Sequence, residues 1–305
     1  MVDYDNLSES ASIGVTAVIL IIVSFMTLYT IALHRMNFFY PSAQRYLMII
    51  FIMPIFIGWT TWTELLLEKE GRGVEYLINL FKSLCLGSFM IYVERMLGCI
   101  KSGSDNEFSQ DKAYEVLTSL ENEFRFLGCF KVKPIENKEQ AKKYLMIVKI
   151  LVLQACAILI CLGIAGVIII GVTGTSDLKN GEYSSVFLVF SIINSISSLT
   201  ALFTLLHYGL YTNKLPLMKN LKVMHKFIII KLAILFTEVQ PLIIQIFSRN
   251  NLIANTDKYE AEYITAYTNA LLLCSEMIIV SFLLLLIFPL DDYKNNFELR
   301  EKLSN

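Results

Sequence analysis

The sequence is poor in charged residues and lacks the patterns of common catalytic sites. Only 17% of its 305 residues are charged, against roughly 25% in a soluble domain. It contains no H-E-x-x-H, C-x-x-C or P-loop pattern, and its three histidines are too scattered to form a zinc site. The sequence therefore predicts neither an enzyme nor a protein with a metal or cofactor. The net charge of −1 argues against nucleic acid as a partner, because no basic domain is present to neutralise phosphates.

No cysteine lies in the segments that we predict to face outward, where structural disulfides form. Four of the six cysteines lie in apolar segments, and the other two, Cys99 and Cys129, lie in a loop that we predict below to be cytosolic. No pair falls in an outward loop, so the sequence predicts no structural disulfide. Cys99 and Cys129 are candidates for acylation, and a reduced thiol at each position is the alternative.

Long apolar segments dominate what is present. Hydrophobic residues make up 55% of the chain and fall in blocks of about 20, the helix length that crosses a hydrocarbon layer about 30 Å thick. Backbone amides inside lipid need partners within their own segment, so these blocks must be helices. We predict an all-α polytopic membrane protein, a bundle of seven transmembrane helices over residues 13–33, 46–67, 76–97, 144–172, 183–210, 221–247 and 263–290. No span contains aspartate, which excludes a paired-aspartate intramembrane protease.

Basic residues predict the orientation of the bundle. With the N-terminus outside, the inward segments carry seventeen lysines and arginines, counting Lys222 and Lys226 at the inner end of the sixth span, and the outward segments carry five. We therefore expect an extracellular N-terminus (1–12), a membrane domain (13–290) with a long cytosolic loop (98–143), and a cytosolic C-terminal tail (291–305). The predicted location is the plasma membrane, with an internal membrane as the alternative, and membrane lipids are predicted partners.

Apolar residues recur at helical spacing within the long loop. They are Ala113, Val116, Leu117, Leu120, Phe124 and Leu127. Two interpretations are open: an amphipathic helix on the inner membrane surface, or a short helix that caps the bundle.

Charged and polar side chains inside the spans are the best indications of function, since a charge at the centre of a spanning helix costs at least about 2.5–3.5 kcal/mol. Lys231, Glu238 and Gln245 recur every seven residues and share one face of the sixth span, and Glu276 lies near the middle of the seventh. A polar stripe on the fifth span follows i, i+3, i+4, i+7 spacing and consists of Ser191, Asn194, Ser195 and Ser198.

Two prolines and two further lysines also lie within spans. Pro54 and Pro241 each remove a backbone donor and can kink the second and sixth helices. Lys149 and Lys226 lie near inner ends, where long side chains can extend to the interface, so we predict no function for them.

We interpret the polar groups as a substrate-binding cavity among the third, fifth, sixth and seventh spans. Lys231 or Lys82 would offer a cation to an anionic head group, and the polar stripe would line the cavity. Glu238 and Glu276 would be counter-ions or gating groups. The alternative is that the serine and asparagine side chains only hold helices together and that the ions pair internally.

Seven spans with an external N-terminus also describe a G-protein-coupled receptor. Glu94-Arg95 at the inner end of the third span resembles that family's acidic–arginine pair, but Met96 follows it instead of tyrosine, and the seventh span lacks N-P-x-x-Y. A seven-helix receptor is kept as an alternative, beside an adaptor that affects membrane trafficking or receptor placement.

The order of several short segments resembles the organic solute transporter alpha subunit family over roughly residues 15–293. Two departures mark a divergent member: Arg95 stands where the family commonly has glycine, and Cys129 is single where vertebrate members carry a dense cysteine run. The segments that carry the resemblance are 44–47 with 53–54, 81–85 with 92–94, 143–154, 227–241 and 272–276.

The resemblance implies facilitated transport of amphipathic organic anions, such as bile acids and conjugated steroids, driven by their own gradient. It also implies a heteromer with a single-span beta-type subunit at the plasma membrane. The absence of a recognisable sodium or nucleotide motif agrees with passive transport.

Overall fold

The computed structural model describes residues 4–67, 71–99, 108–120, 124–126, 130–132, 135–177, 184–249 and 261–295. Within these ranges the chain forms long helices with short elements between them. In chain order they are α1 (Tyr4–Met36), α2 (Pro41–Leu67), α3 (Gly71–Cys99), α4 (Gln110–Thr118), β1 (Phe124–Phe126), β2 (Phe130–Val132), α5 (Lys138–Asp177), α6 (Ser184–Thr212), α7 (Pro216–Asn220), α8 (Val223–Arg249) and α9 (Ala261–Ile287).

The long helices confirm a polytopic helical membrane protein. Five stretches among the described residues are long and apolar enough to cross a bilayer; they are Ala11–Met36, Pro41–Thr63, Leu77–Cys99, Lys138–Gly166 and Tyr267–Asn295. The stretch in α3 has the lowest mean hydropathy, 1.3, because Lys82, Glu94 and Arg95 lie in it. The predicted fifth and sixth spans coincide with α6 and α8, which are 29 and 27 residues long.

Several element boundaries differ from the sequence prediction. Helix α1 begins at Tyr4, inside the segment expected to be the short extracellular N-terminus, and α5 begins at Lys138, inside the expected loop. Apolar residues mark where a helix can be buried in lipid, whereas the helical backbone continues past that zone. Pro54 lies inside the continuous α2, and α8 also runs through position 241. A kink at either proline stays a prediction.

The loop that we predict to be cytosolic contains a shorter helix than its periodicity indicates. Helix α4 ends at Thr118, and Phe124 lies in β1, which pairs antiparallel with β2. The expected continuous helix to Leu127 is therefore wrong, and this hairpin is a departure from the predicted all-α fold. Ala113 and Leu117 on α4 are fully buried by the protein itself, and α4 packs against α5. This burial favours the interpretation that α4 caps the bundle.

The described chain divides into two compact units. The second unit comprises residues 39–47, 79–224 and 293–305, and so contains α4 to α7 and most of α3. Within it α5 packs along α6. Helix α3 approaches α5 closely at Gly87, where an added Cβ would lie 3.2 Å from Leu153 Cδ2.

The first unit comprises residues 1–38, 48–78 and 225–292, and so contains α1, most of α2, α8 and α9. Helix α1 packs along α9, and the buried hydroxyls of Thr27 and Ser281 lie 3.3 Å apart across this contact. Helix α2 is joined to α1 by Trp59 Nε1–H, which donates to Ser24 Oγ at 3.0 Å. Such interhelical hydrogen bonds help to hold helices together in lipid. The lipid tails are as apolar as the helix side chains, so burial of apolar surface does not favour helix association there.

A close helix approach in the first unit depends on Gly58. A Cβ built on Gly58 would overlap Leu20 of α1 and lie 3.6 Å from Met277 of α9. The carbonyl of Gly58 accepts a bond from Cys274 Sγ at 3.6 Å. The missing side chain therefore lets the α2 backbone approach both neighbouring helices.

We expect Gly58→Leu to lower the thermal unfolding midpoint of the detergent-solubilised protein. A leucine there would overpack the contact, an effect that costs about 1–3 kcal/mol. The matched control is Gly163→Leu on α5, because nothing lies within 4 Å of a Cβ at that position. Equal midpoints for the two variants would contradict the close approach at Gly58.

Candidate functional site

An ion pair joins α3 and α5 inside the second unit. Lys149 Nζ lies 2.7 Å from Glu94 Oε1, and the side chains are 34% and 5% exposed, respectively. Two opposite charges at this distance stabilise each other strongly in a medium of low polarisability. Removing one partner of such a buried pair typically costs about 3–5 kcal/mol, because the other charge is left uncompensated. The pair also explains how Lys149 can be retained without extending fully to the interface.

Aromatic side chains from α5 and α6 form a cluster in the second unit. The Tyr144 hydroxyl and His207 Nδ1 are hydrogen-bonded at 3.1 Å, and the Tyr144 ring lies 5.7 Å from Tyr211 and 6.3 Å from Tyr208. Tyr208 is 1% exposed, and its hydroxyl has no hydrogen-bond partner among the described residues. A buried hydroxyl group without a described hydrogen-bond partner therefore lies on α6, the helix that packs along α5.

Arg95, the departure from the family pattern, has a structural partner. Its guanidinium lies 3.9 Å from the centre of the Phe108 ring, a cation–π contact. The Phe108 ring also covers Gly98, whose built Cβ would lie 2.5 Å from it. Cys99 next to it is fully buried, with Sγ 3.6 Å from Ser42 Oγ. Acylation of Cys99 would require this contact to open, and Cys129 lies outside the described residues.

The predicted polar stripe on α6 does not form one uniformly buried face. Asn194 and Ser198 are half-buried and Ser195 is exposed, while the side chain of Ser191 lies outside the described part. Ser195 shares its exposure with Ile192 and Ile196. The more buried polar group is Ser197, 4% exposed, which the stripe leaves out. Lys82 of α3 is also buried, at 5% exposure.

Lys231 and Glu276 lie on α8 and α9 of the first unit, and both side chains are half-buried. Neither forms an ion pair with another side chain that the structure describes. The Oε2 atom of Glu276 is buried and has no hydrogen-bond partner within the described ranges. The side chains of Glu238, Pro241 and Gln245 lie outside those ranges. Nearby on the same two helices, Gln240 Nε2 donates to the Asn269 carbonyl and side-chain oxygens, both at 3.3 Å.

A second ion pair lies at the end of the first unit that we predict to be cytosolic. Lys226 Nζ is 3.7 Å from Asp292 Oδ2 and 5.2 Å from the centre of the Phe288 ring. The Phe288 carbonyl accepts from His34 Nε2–H at 2.8 Å, and its ring packs edge-on against Phe51 at 5.3 Å. Lys226 is 0% exposed, so the prediction that it extends to the interface is wrong. These contacts connect α1, α2, α8 and the residues that follow α9.

The structure thus pairs charges that the sequence analysis treated separately. Glu94 and Lys149 both lie near the predicted inner ends of their spans, and this common depth indicates that they can pair. Asp292 follows the last span and Lys226 begins the sixth, again at one predicted depth. Opposite charges at matching depths in different spans indicate pairing, a criterion that periodicity along one helix does not test.

Comparison with known proteins identifies the family. No curated protein and no solved structure matches the chain significantly. The model of the family described as organic solute transporter Ostalpha matches residues 12–293, a range that covers most of the described helices. The chain belongs to the organic solute transporter Ostalpha family.

Proposed function

We propose that this protein is the transporting subunit of a membrane carrier for amphipathic organic anions, such as bile acids and conjugated steroids. The observation that carries the proposal is the pair of half-buried charged groups, Lys231 and Glu276, which have no ionic partner among the described residues. Each such charge costs at least about 2.5–3.5 kcal/mol in a spanning helix. A hydrated, substrate-binding interior offsets this cost. A purely structural bundle does not require charged groups at these positions.

Each unit has polar groups suited to an anion path. In the first unit Lys231 supplies a cation; in the second, Lys82 supplies a cation and the α6 stripe supplies hydroxyl and amide groups from Ser191, Asn194, Ser195 and Ser198. Glu238 and Glu276 act as counter-ions or gates. A flat apolar ligand with one charged end suits such a site, because most lining surface is apolar and few polar groups are required. Transport by diffusion down the substrate gradient needs no catalytic residue or cofactor.

The proposed topology has seven spans, with the N-terminus outside and the C-terminus in the cytosol of a plasma-membrane protein. Helices α6 and α8 supply the two spans beyond the five apolar stretches, and the excess of basic residues in the inward segments supports the orientation. We also propose a heteromer with a single-span beta-type subunit, as the family resemblance implies.

The topology predicts opposite accessibility of the two termini. An epitope tag before residue 1 should be detected by antibody on intact cells, whereas a tag after residue 305 should be detected only after permeabilisation. Six spans would place both tags on the same side. A C-terminal tag visible on intact cells would reverse the proposed orientation.

The transport site predicts a selective loss of uptake. Cells expressing the chain with a candidate single-span subunit should accumulate a labelled steroid sulfate, and Lys231→Met or Glu276→Gln should lower the initial rate about tenfold or more, because each removes a charged contact with the ligand or its path. Surface biotinylation should show normal amounts of both variants.

Two exposed residues provide matched controls for these substitutions. Lys219→Met on α7 and Glu139→Gln at the start of α5 make the same side-chain changes at exposed positions and should leave uptake unchanged. Wild-type uptake in both Lys231→Met and Glu276→Gln would remove the proposed site. Surface expression without uptake by the wild-type chain, with or without the subunit, would favour the adaptor.

A further inference from the structure

The Glu94–Lys149 and Lys226–Asp292 ion pairs differ in how far solvent or ligand can reach their lysines. Lys149 is 34% exposed while its partner Glu94 is 5% exposed; Lys226, by contrast, is 0% exposed. An ammonium group has three donors and Glu94 Oε1 occupies one position beside it. Lys149 therefore has donors beyond the one that faces Glu94, and its side chain is partly accessible whereas that of Glu94 is buried.

The surface around Lys149 is apolar. Met146 and Leu153 flank Lys149 on α5, at i−3 and i+4, and both are exposed. A cation that emerges from an apolar surface fits a molecule with an apolar body and one anionic end. The body covers the exposed side chains of α5, while the carboxylate or sulfate reaches the ammonium.

We propose that Lys149 binds the anionic group of the transported molecule, and that this group competes with Glu94 for the ammonium. The inference rests on the proposed transport function and assigns to it a site that the sequence analysis had dismissed. Glu94 keeps the empty site neutral and limits the residence time of the bound anion. Release then needs no external reagent, because the carboxylate returns to Lys149 as the substrate leaves.

Tyr208 gives the displaced carboxylate a second partner. Its buried hydroxyl has no hydrogen-bond partner within the described part of the chain, and its helix α6 packs along α5, the helix that carries Lys149. When the substrate takes Lys149, the phenol O–H can donate to Glu94, which avoids an uncompensated buried charge. Tyr208 is thus a positioning residue that acts through Glu94.

The experiment measures initial rates of a tritiated steroid sulfate into proteoliposomes that contain the purified full chain with its single-span subunit. Glu94→Gln removes the competing charge, so KM should fall about tenfold and the maximal rate should also fall, because release slows. Lys149→Met should raise KM about tenfold or more. Tyr208→Phe should raise KM about threefold without lowering thermal stability, since the lost hydroxyl has no partner in the empty state.

A charge exchange separates binding from structural pairing. Glu94→Lys with Lys149→Glu keeps an ion pair but places the carboxylate on the accessible side, so the double variant should fold and yet fail to saturate with the anion. The first control is Lys138→Met, which lies on α5 like Lys149 and breaks an exposed ion pair of 2.6 Å with Glu115 of α4. The second is Tyr29→Phe at an exposed position of α1. Both should keep wild-type KM.

The outcomes are distinguishable from a failure of the proposed function. No transport by the wild-type complex would refute transport itself. Wild-type transport with unchanged KM in Glu94→Gln and Tyr208→Phe would overturn the role of Lys149, even if Lys149→Met does not fold. Wild-type KM in the charge-exchanged variant would likewise show that the pair is structural.

Discussion

A charged side chain inside a bilayer requires a counter-charge, water or a ligand, and this requirement organises the polar part of the structure. In the second unit Glu94 and Lys149 meet it by pairing at 2.7 Å across α3 and α5. In the first unit Lys226 meets it with Asp292 and the Phe288 ring. Because each pair joins segments distant in sequence, it constrains both the depth and the rotation of its helices, which apolar contacts with interchangeable side chains define less sharply.

Lys231 and Glu276 meet the requirement in another way. Neither pairs with another charge in the described residues. Two such charges would together cost at least about 5–7 kcal/mol in a dry bundle, which is comparable to the whole stability of many folded proteins. Their retention therefore requires access to water or to a charged ligand. This energetic argument, together with the family, supports transport over a purely structural role.

The parts of the fold that depend on composition could be predicted from the sequence. Apolar length predicts the long helices, because the thickness of the hydrocarbon layer sets it directly. The ends could not be predicted as well: α1 extends back to Tyr4, since a helix does not stop where the lipid does. The period of apolar residues around Phe124 indicated helix, but pairing with β2 placed Phe124 in a strand. The period of apolar residues along one segment does not reveal hydrogen bonds between two strands.

The predicted site shows the same division. A charge within a span, such as Glu276, can be identified from sequence because its cost is independent of its neighbours. Whether Lys149 has a partner depends on which helices are adjacent and at what rotation, and one sequence does not contain this information. Lys149 and Lys226 therefore look alike in the sequence, as lysines near the inner ends of spans, although their side chains differ in accessibility.

That difference in accessibility separates a permanent contact from an exchangeable one. A ligand can compete only for a donor that it can reach, so the fully buried Lys226 can exchange Asp292 only if the surrounding helix ends separate. Lys149 can exchange Glu94 while the backbone stays in place, provided that the displaced carboxylate finds another donor. Tyr208, whose buried hydroxyl has no hydrogen-bond partner in the described chain, is the donor that we propose. An ion pair with one accessible partner and a buried reserve donor has the properties required for reversible anion binding, whereas a pair closed on all sides can only stabilise.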